Sequence, residues 1–457
     1  MNIEDVLSGN PEEIVERLQA KRIDLPNWDD LNKEYDPKEH PVMKDASYQD
    51  VIDEDGNVEK VTRITLDLQR LAAKRTTELC FGIPVKRIYN PRTDGEKEVA
   101  GAIEAILKRN RIDSVNIERG NMLYAGCEVA TIWFAIEESN TIYGFESKLK
   151  LRCRNYSPMN GDGIYPLFDE ETGDLIALSF GYNRKEGDKD VEYLDVYTAN
   201  KHIRYKNDSG WEEEFSEIST IGKIPAVYCS RPTPAWEDTS DTVYEIEWAL
   251  SRNGNYLRKN SKPLIALFAD EEINFGNEKS EKQEFKGVFQ YPKGSELKYV
   301  TWEQAIENLK FYIGELRQSF FTQLQLPDWS YESMKSTPMS GEARKQMFID
   351  AQLKVKDESG RLLEMLDREV NVIKAFLKTM IPGREKDIDN LQVTIEVTPF
   401  TITDDKDIIT NIMTATGGKA IMSQKEGIKN LGWSDNVDET MRQIQEESAS
   451  DVFEPTV

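Results

Sequence analysis

Apolar residues recur every three or four positions through much of this chain, the spacing of helices that bury one face. The clearest case covers 302–325, where Trp302, Ala305, Ile306, Leu309, Ile313, Leu316, Phe320 and Leu324 form a single stripe. The same period predicts helices over 66–79, 97–108, 115–124 and 244–260. Gly82 and Pro84 stop the first of these, and Gly254 weakens the last. A long helix is expected over 340–380 with a kink at Gly360; unbroken, it would reach roughly 60 Å at 1.5 Å per residue. Nearer the N-terminus, Asn10 and Pro11 followed by Glu12 and Glu13 mark a capped helix start.

Between about 140 and 232 the pattern changes. LKLRCRNY, LIALSFGY, VEYLDVYT and KHIRYK are short β-type runs bounded by Gly, Asp or Asn turns, and 128–136 alternates like a strand. An antiparallel β-rich subdomain is expected here, closed by IGKIPAVYCS and a link at Pro232 and Pro234. Further on, LIALFA and LKYVTW read as strands around the polar stretch NFGNEKSEKQEFKG. After Pro382-Gly383 a strand, LQVTIEVTP, precedes helices over 405–416, 423–431 and 435–447. Ser423 and Glu426 there fit a capping box, and the acidic tail after Glu446 is expected to be disordered. These elements make the fold class α+β.

Composition narrows the function. At 457 residues the chain is long enough for about three structural units. A net charge of −25 makes the summed field repel nucleic acid, which argues against a conventional DNA-binding domain and leaves only local basic patches. Cys80, Cys127, Cys153 and Cys229 are scattered without a CxxC pair and read as reduced core residues. His40 and His202, the only histidines, lie far apart without ligand clusters beside them, so a zinc site or a catalytic triad is not expected. The opening MNIEDVLSGNPEEIVERL has no signal-peptide pattern, and the longest apolar runs, such as Leu264–Ala269, are too short to span a bilayer.

An enzyme reading rests on the acidic runs Asp53-Glu54-Asp55, Asp169-Glu170-Glu171 and Asp404-Asp405, which hold carboxylates suited to acid–base or metal work. None carries EF-hand spacing, and GxxxxGK[ST], GxSxG and HExxH are all absent. The runs read as solvated turns; no catalysis, cofactor or metal is expected. Lack of a Walker A lysine also argues against a packaging ATPase.

The order of short motifs resembles the portal proteins of tailed bacteriophages, in particular the siphophage-type head-to-tail connector family. Cys80-Phe81-Gly82-Ile83-Pro84-Val85 is similar to that family's G-x-P-V turn. Tyr124-Ala125-Gly126-Cys127-Glu128-Val129 resembles the start of its first long strand, and Gly222-Lys223-Ile224-Pro225-Ala226 the close of its β-rich wing. Ser240-Asp241 before a helix, Ser340-Gly341-Glu342-Ala343 before the long helix, and Gly418 through Ser423 complete the series. Each motif is common alone; their order over about 60–447 carries the resemblance, and the N-terminal segment lies outside it.

The resemblance implies a portal fold assembled as a ring of twelve. Its parts would be an N-terminal extension (1–60), a wing, helical then β-rich (61–241), a first stem helix (242–261), a small α/β clip (262–301) and a second stem helix (302–325). A tunnel loop (326–340), a long wing helix (341–381) and a helical crown with the acidic tail (382–457) would follow. It further implies a channel at one capsid vertex of the virion, assembled in the host cytoplasm, for genome packaging, retention and ejection. Its partners would be double-stranded DNA read without sequence specificity, the terminase large subunit, a head-completion adaptor, the major capsid protein and scaffolding protein, with no membrane. Another phage head or adaptor protein is the alternative, with a shorter chain and no helix–clip–helix layout.

Within that frame, Arg252, Arg258, Lys259 and Lys262 cluster at the first stem helix and are candidates to meet phosphates; a solvated face or inter-subunit ion pairs is the other reading. Trp329, Tyr331 and Lys335 in the tunnel loop are candidates to touch DNA or to pack on a neighbouring subunit. Asn277, Glu278, Lys279, Glu281 and Lys282 in the clip are candidates for partner contact, or an ordinary exposed turn.

Overall fold

The computed structural model describes residues 3–20, 24–52, 56, 58–187, 189–259, 264–268, 296–300, 306–328, 349–400, 405–417, 420–434 and 436–451. The chain divides into two compact units, where length alone suggests three. The first is Met1–Arg75 with Asn121–Glu137 and Leu149–Leu324; the second is Thr76–Gly120 with Glu138–Lys148 and Gln325–Val457.

The chain opens with α1 (Ile3–Val6), α2 (Pro11–Gln19), α3 (Trp28–Tyr35), α4 (Pro41–Lys44), β1 (Val51–Ile52), β2 (Val58–Glu59) and α5 (Leu68–Phe81). β3 (Lys86–Asn90), α6 (Asp94–Arg109), α7 (Ile112–Gly126), β4 (Glu128–Asn140), β5 (Ser147–Tyr156) and β6 (Gly163–Phe168) follow. Then come β7 (Leu175–Glu186), β8 (Lys189–Thr198), β9 (Lys201–Asn207), β10 (Trp211–Ile218), β11 (Ala226–Ser230) and α8 (Ser240–Lys259). β12 (Leu264–Phe268), β13 (Glu296–Val300), α9 (Ile306–Gln323), α10 (Ile349–Met380) and α11 (Glu385–Asn390) lead to β14 (Gln392–Glu396). α12 (Asp405–Thr416), α13 (Gln424–Leu431) and α14 (Val437–Asp451) close the chain.

The first unit is built on two sheets. An antiparallel five-stranded sheet runs in the order β10-β9-β8-β7-β6, and a three-stranded one in the order β11-β4-β5. Period-two alternation gives the large sheet two apolar faces. On one, Leu194, Val196, Ile203 and Tyr205 are covered by Ile14, Val15 and Leu18 of α2. Asn10 caps that helix, its side chain accepting the Glu13 N–H at 2.9 Å. On the other face, Ile164, Leu178 and Phe180 meet Ala130, Ile132, Ala226 and Tyr228 of the small sheet. Strand β10 carries Glu212, Glu213 and Glu214 and is an exposed edge strand, irregular between Glu213 and Phe215. Between α7 and β4, Cys127 takes φ +63° while Gly126 stays glycine, because a Cβ at 126 would sit 3.0 Å from Met159 Cγ. Burial pushes the Cys127 thiol up to about 12, the state of an inert core cysteine.

The second unit packs the buried stripe of α10, including Leu362, Leu366, Ile373 and Leu377. Within the same unit α6 buries Val99, Ala102, Ile103 and Ile106, and β3 pairs antiparallel with β14. Glu369 of α10 lies fully buried and takes a hydrogen bond from Arg119 at 2.9 Å and an ion pair from Arg87 at 3.4 Å. α10 is one continuous helix through Gly360, where an added Cβ would meet open space. The described part of this helix begins at Ile349, so the Ser340–Ala343 turn lies outside the described residues. Ser423 and Glu426 form the capping box at α13, and α14 continues to Asp451 rather than ending in a tail after Glu446.

Candidate channel-lining site

Helices α8 and α9 pack on each other within the first unit and are joined through a strand pair. β12 follows α8, β13 precedes α9, and the two strands pair antiparallel from Leu264↔Val300 to Phe268↔Glu296. Thr239 starts α8: its carbonyl accepts the Val243 N–H at 3.2 Å while its hydroxyl donates to the Trp236 carbonyl at 2.6 Å. α9 turns the stripe of Leu309, Ile313, Leu316 and Phe320 inward, but only Phe320 is fully buried. Trp302 and Ala305, the start of the expected stripe, lie outside the described residues.

The N-terminal segment grips α8. Glu34 accepts hydrogen bonds from Trp236 Nε1 and the Ser240 hydroxyl, both at 2.7 Å. The Tyr48 ring meets Trp248 edge-on at 5.1 Å, and His40 meets Tyr244 at 5.3 Å. His40 Nδ1 lies 2.8 Å from the Glu247 carboxylate and Nε2 lies 2.8 Å from the Glu34 carbonyl, both side chains of the ion pair being fully buried. Burial alone would lower the imidazole's affinity for its proton; the Glu247 hydrogen bond, the Glu34 carbonyl and the charges of Glu247 and Asp36 outweigh it, so the His40 pKa is raised. Burial, together with Glu34 and Glu247, likewise pushes the Tyr244 hydroxyl up to about 12.

Residues 60–66 continue this grip as an extended strap. The Leu66 N–H donates to Glu247 Oε1 at 2.7 Å, and the Ile64 N–H donates to the Ser251 hydroxyl at 2.8 Å. Thr62 lies against Gly254, where an added Cβ would come within 2.8 Å of its methyl, and Arg258 donates to the Lys60 carbonyl. Even positions of the strap thus meet α8 at 247, 251, 254 and 258, a strand of period two laid on a helix of period 3.6. Odd positions turn the other way: the Val61 N–H and Arg63 bind Asp50. Among the described residues the strap pairs with no strand, and these backbone donors are met by helix side chains.

Of the DNA-contact candidates, Arg252 lies exposed on α8 with its guanidinium 5.2 Å from the Trp248 ring, a cation–π contact. Arg258, six residues on and therefore about 120° round the helix, is held to Lys60, so the two do not share a face. Lys259 is the last residue of α8. Lys262, Trp329, Tyr331, Lys335, Asn277, Glu278, Lys279, Glu281 and Lys282 lie outside the described residues. Sequence reasoning missed His40, Glu247 and Ser251; the one local signal was Gly254 inside a helical pattern, where a glycine often marks close approach of another backbone. Among the described residues there is no cluster of three or more His, Cys, Asp or Glu side chains placed to hold a metal, and no helix long and apolar enough to cross a membrane.

A search of the curated proteins finds no match. Among solved structures, the chain is similar to one from the neck of an empty GTA particle computed with C6 symmetry, at 10% identity and TM-score 0.41, over 80% of this chain and 89% of that one. A chain from the virion of a native gene transfer agent particle is similar at 11% identity and TM-score 0.36, over the same shares. Likenesses this distant carry no weight in the assignment. The sequence from 17 to 452 matches the family model described as phage portal protein, SPP1 Gp6-like, and the chain therefore belongs to that family of structural, non-enzymatic portal proteins.

Proposed function

We propose that twelve copies of this chain form a ring at one capsid vertex of a phage virion, and that double-stranded DNA passes through its centre. The reading is carried by the packed pair α8 and α9 with the strand pair β12–β13 between them, because this layout leaves large apolar side chains without cover. Leu257, Phe311 and Tyr312 are 53%, 69% and 44% exposed. Apolar side chains on the surface of two neighbouring helices suit a contact with the next copy, and a head-to-tail contact repeated by rotation closes into a ring.

In the ring, residues 242–261 and 302–325 act as stem, 262–301 as clip, 326–340 as tunnel loop, 61–241 and 341–381 as wing, and 382–457 as crown. A charge of −25 per chain keeps the duplex from adhering to the wall, while Arg252, exposed on α8, and Lys259 and Lys262 at and beyond its end meet phosphates locally; Arg258 is held to the Lys60 carbonyl instead. The clip docks the terminase large subunit during packaging and a head-completion adaptor afterwards, and the wing meets the major capsid and scaffolding proteins.

Native mass spectrometry of the chain and of the double variant Leu257→Asp/Phe311→Asp tests this. A multimer near twelve for the parent chain, reduced to monomer in the variant with its circular dichroism unchanged, is expected. A parent chain that stays monomeric at high concentration, or a variant that keeps the parent's multimer, would overturn the reading.

A further inference from the structure

His40 sits where three segments meet, and its two nitrogens face two acceptors. Nδ1 is 2.8 Å from the Glu247 carboxylate on α8, and Nε2 is 2.8 Å from the carbonyl of Glu34 on α3. A neutral imidazole has one N–H and one lone pair, so either tautomer would set a lone pair against an oxygen at hydrogen-bond distance. With Glu247 ionised, only the imidazolium, with both nitrogens protonated, satisfies the pair. The carboxylate it faces is equally committed. Glu247 Oε1 takes both the His40 and the Leu66 hydrogen bonds, while its buried Oε2 has no hydrogen-bond partner among the described residues.

The other groups around the ring reinforce the proton. From α8 the Tyr244 ring lies edge-on to the imidazole, with its hydroxyl pushed up to about 12 and so neutral at physiological pH. From the end of α3, Asp36 adds negative charge, itself paired with Arg70 at 3.2 Å. The Glu34 carboxylate is occupied by Trp236 and Ser240. From the strap comes only the Leu66 N–H, given to the same oxygen that His40 holds.

We propose that His40 is a positioning residue that works as a proton-dependent latch: its imidazolium form seats the 60–66 strap on α8, and loss of the proton lets the strap lift. Glu247 transmits the change. With the imidazolium gone one contact must fail: the Nε2–H tautomer turns a lone pair on the Glu247 carboxylate, and the Nδ1–H tautomer turns one on the Glu34 carbonyl. In both the buried carboxylate loses its counter-charge and recovers solvation only by parting from the segments around it. The next strap contacts, Ile64 on Ser251 and Thr62 against Gly254, follow in line along α8. Lifting the strap uncovers the helix face at 247, 251 and 254. This inference rests on the geometry of the first unit and stands whether or not α8 lines a channel.

The pH direction follows from the raised pKa. Strap seating is complete below about 6.5, the ordinary histidine value, and is lost as pH rises through the higher folded value. With only two histidines, selective isotope labelling yields two imidazole signals, and half-buried His202 serves as the internal reference. Following both rings between pH 5.5 and pH 9 by NMR, alongside amide exchange at Ile64 and Leu66, tests the latch on the full chain. Expected is a charged His40 at pH 7 and protection factors at Ile64 and Leu66 that fall at least about tenfold through its titration, at the rate ratio that follows from one lost charged hydrogen bond. Glu247→Gln should move His40 titration and the loss of protection together to lower pH. Ser251→Ala should lower protection at Ile64 at every pH without moving the His40 titration. A His40 that is neutral across the range, or protection that stays flat while His40 titrates, would overturn the latch.

Discussion

Each unit of the molecule locks a long helix with one fully buried glutamate, and the two locks differ in their cation. Glu369 on α10 is held by Arg119 and Arg87, from 250 and 282 positions away in sequence. Glu247 on α8 is held by His40, from 207 positions away, and by the backbone of Leu66. A guanidinium keeps its charge at any pH the protein meets, whereas an imidazole gives up its proton near neutrality. Both carboxylates are fully buried and closed by residues distant in sequence, but two guanidinium groups make one lock permanent and a single imidazole makes the other responsive. The permanent lock sits in the core of the second unit, and the responsive one lies beneath an N-terminal strap on a helix with exposed apolar side chains.

Substitutions should separate the two. The largest effect is expected for Glu369→Gln, which leaves Arg119 buried without its carboxylate when its Nε and Nη1 already lack partners among the described residues. Loss of about 3–5 kcal/mol is expected in urea denaturation, equal at pH 6 and pH 9. A pH-dependent loss would erase the distinction drawn here. His40→Gln should cost about 2–3 kcal/mol at pH 6, where the imidazolium supplies a charged hydrogen bond, and clearly less at pH 9. The sign follows from a raised folded pKa, whose stabilisation is present at low pH and disappears as pH climbs. Equal losses at both pH values would make His40 a structural residue only.

Ser251→Ala removes the acceptor of the Ile64 N–H and should cost about 1 kcal/mol, with no pH dependence. Smallest of all is Arg442→Ala, which breaks exposed pairs to Glu439 and Glu446 on α14 and should leave Tm within experimental scatter. A measurable drop there would show that surface pairs weigh more in this acidic chain than in ordinary proteins.

Local pattern made most elements legible. The helix at Pro11 was announced by Asn10, the capping box by Ser423 and Glu426, and the α6 core by Val99, Ile103, Ile106 and Leu107, since each signal lies within a few residues of what it predicts. Strand β10 was not legible, because an edge strand with both faces acidic looks like a solvated turn until its partner β9 is known. Nor was the start of α5: Leu66 fits the helical spacing, yet it lies in the extended strap with its N–H on Glu247, and the first helical bond runs from the Leu71 N–H to the Asp67 carbonyl. The grip on α8 was hidden for a stronger reason. His40 and Glu247 are ordinary residues in their own stretches, and only the fold brings them together. Sequence also directed attention to the cations of α8 as a cluster, whereas helix geometry separates Arg252 from Arg258 and gives each a contact within the chain.

The ring is the central claim, and electron microscopy of the purified chain tests it most directly. Class averages showing closed rings near twelvefold, with an open bore bounded by α8 and α9, are the predicted result. Single globular particles at every protein and salt concentration, or closed assemblies without a bore, would contradict the account.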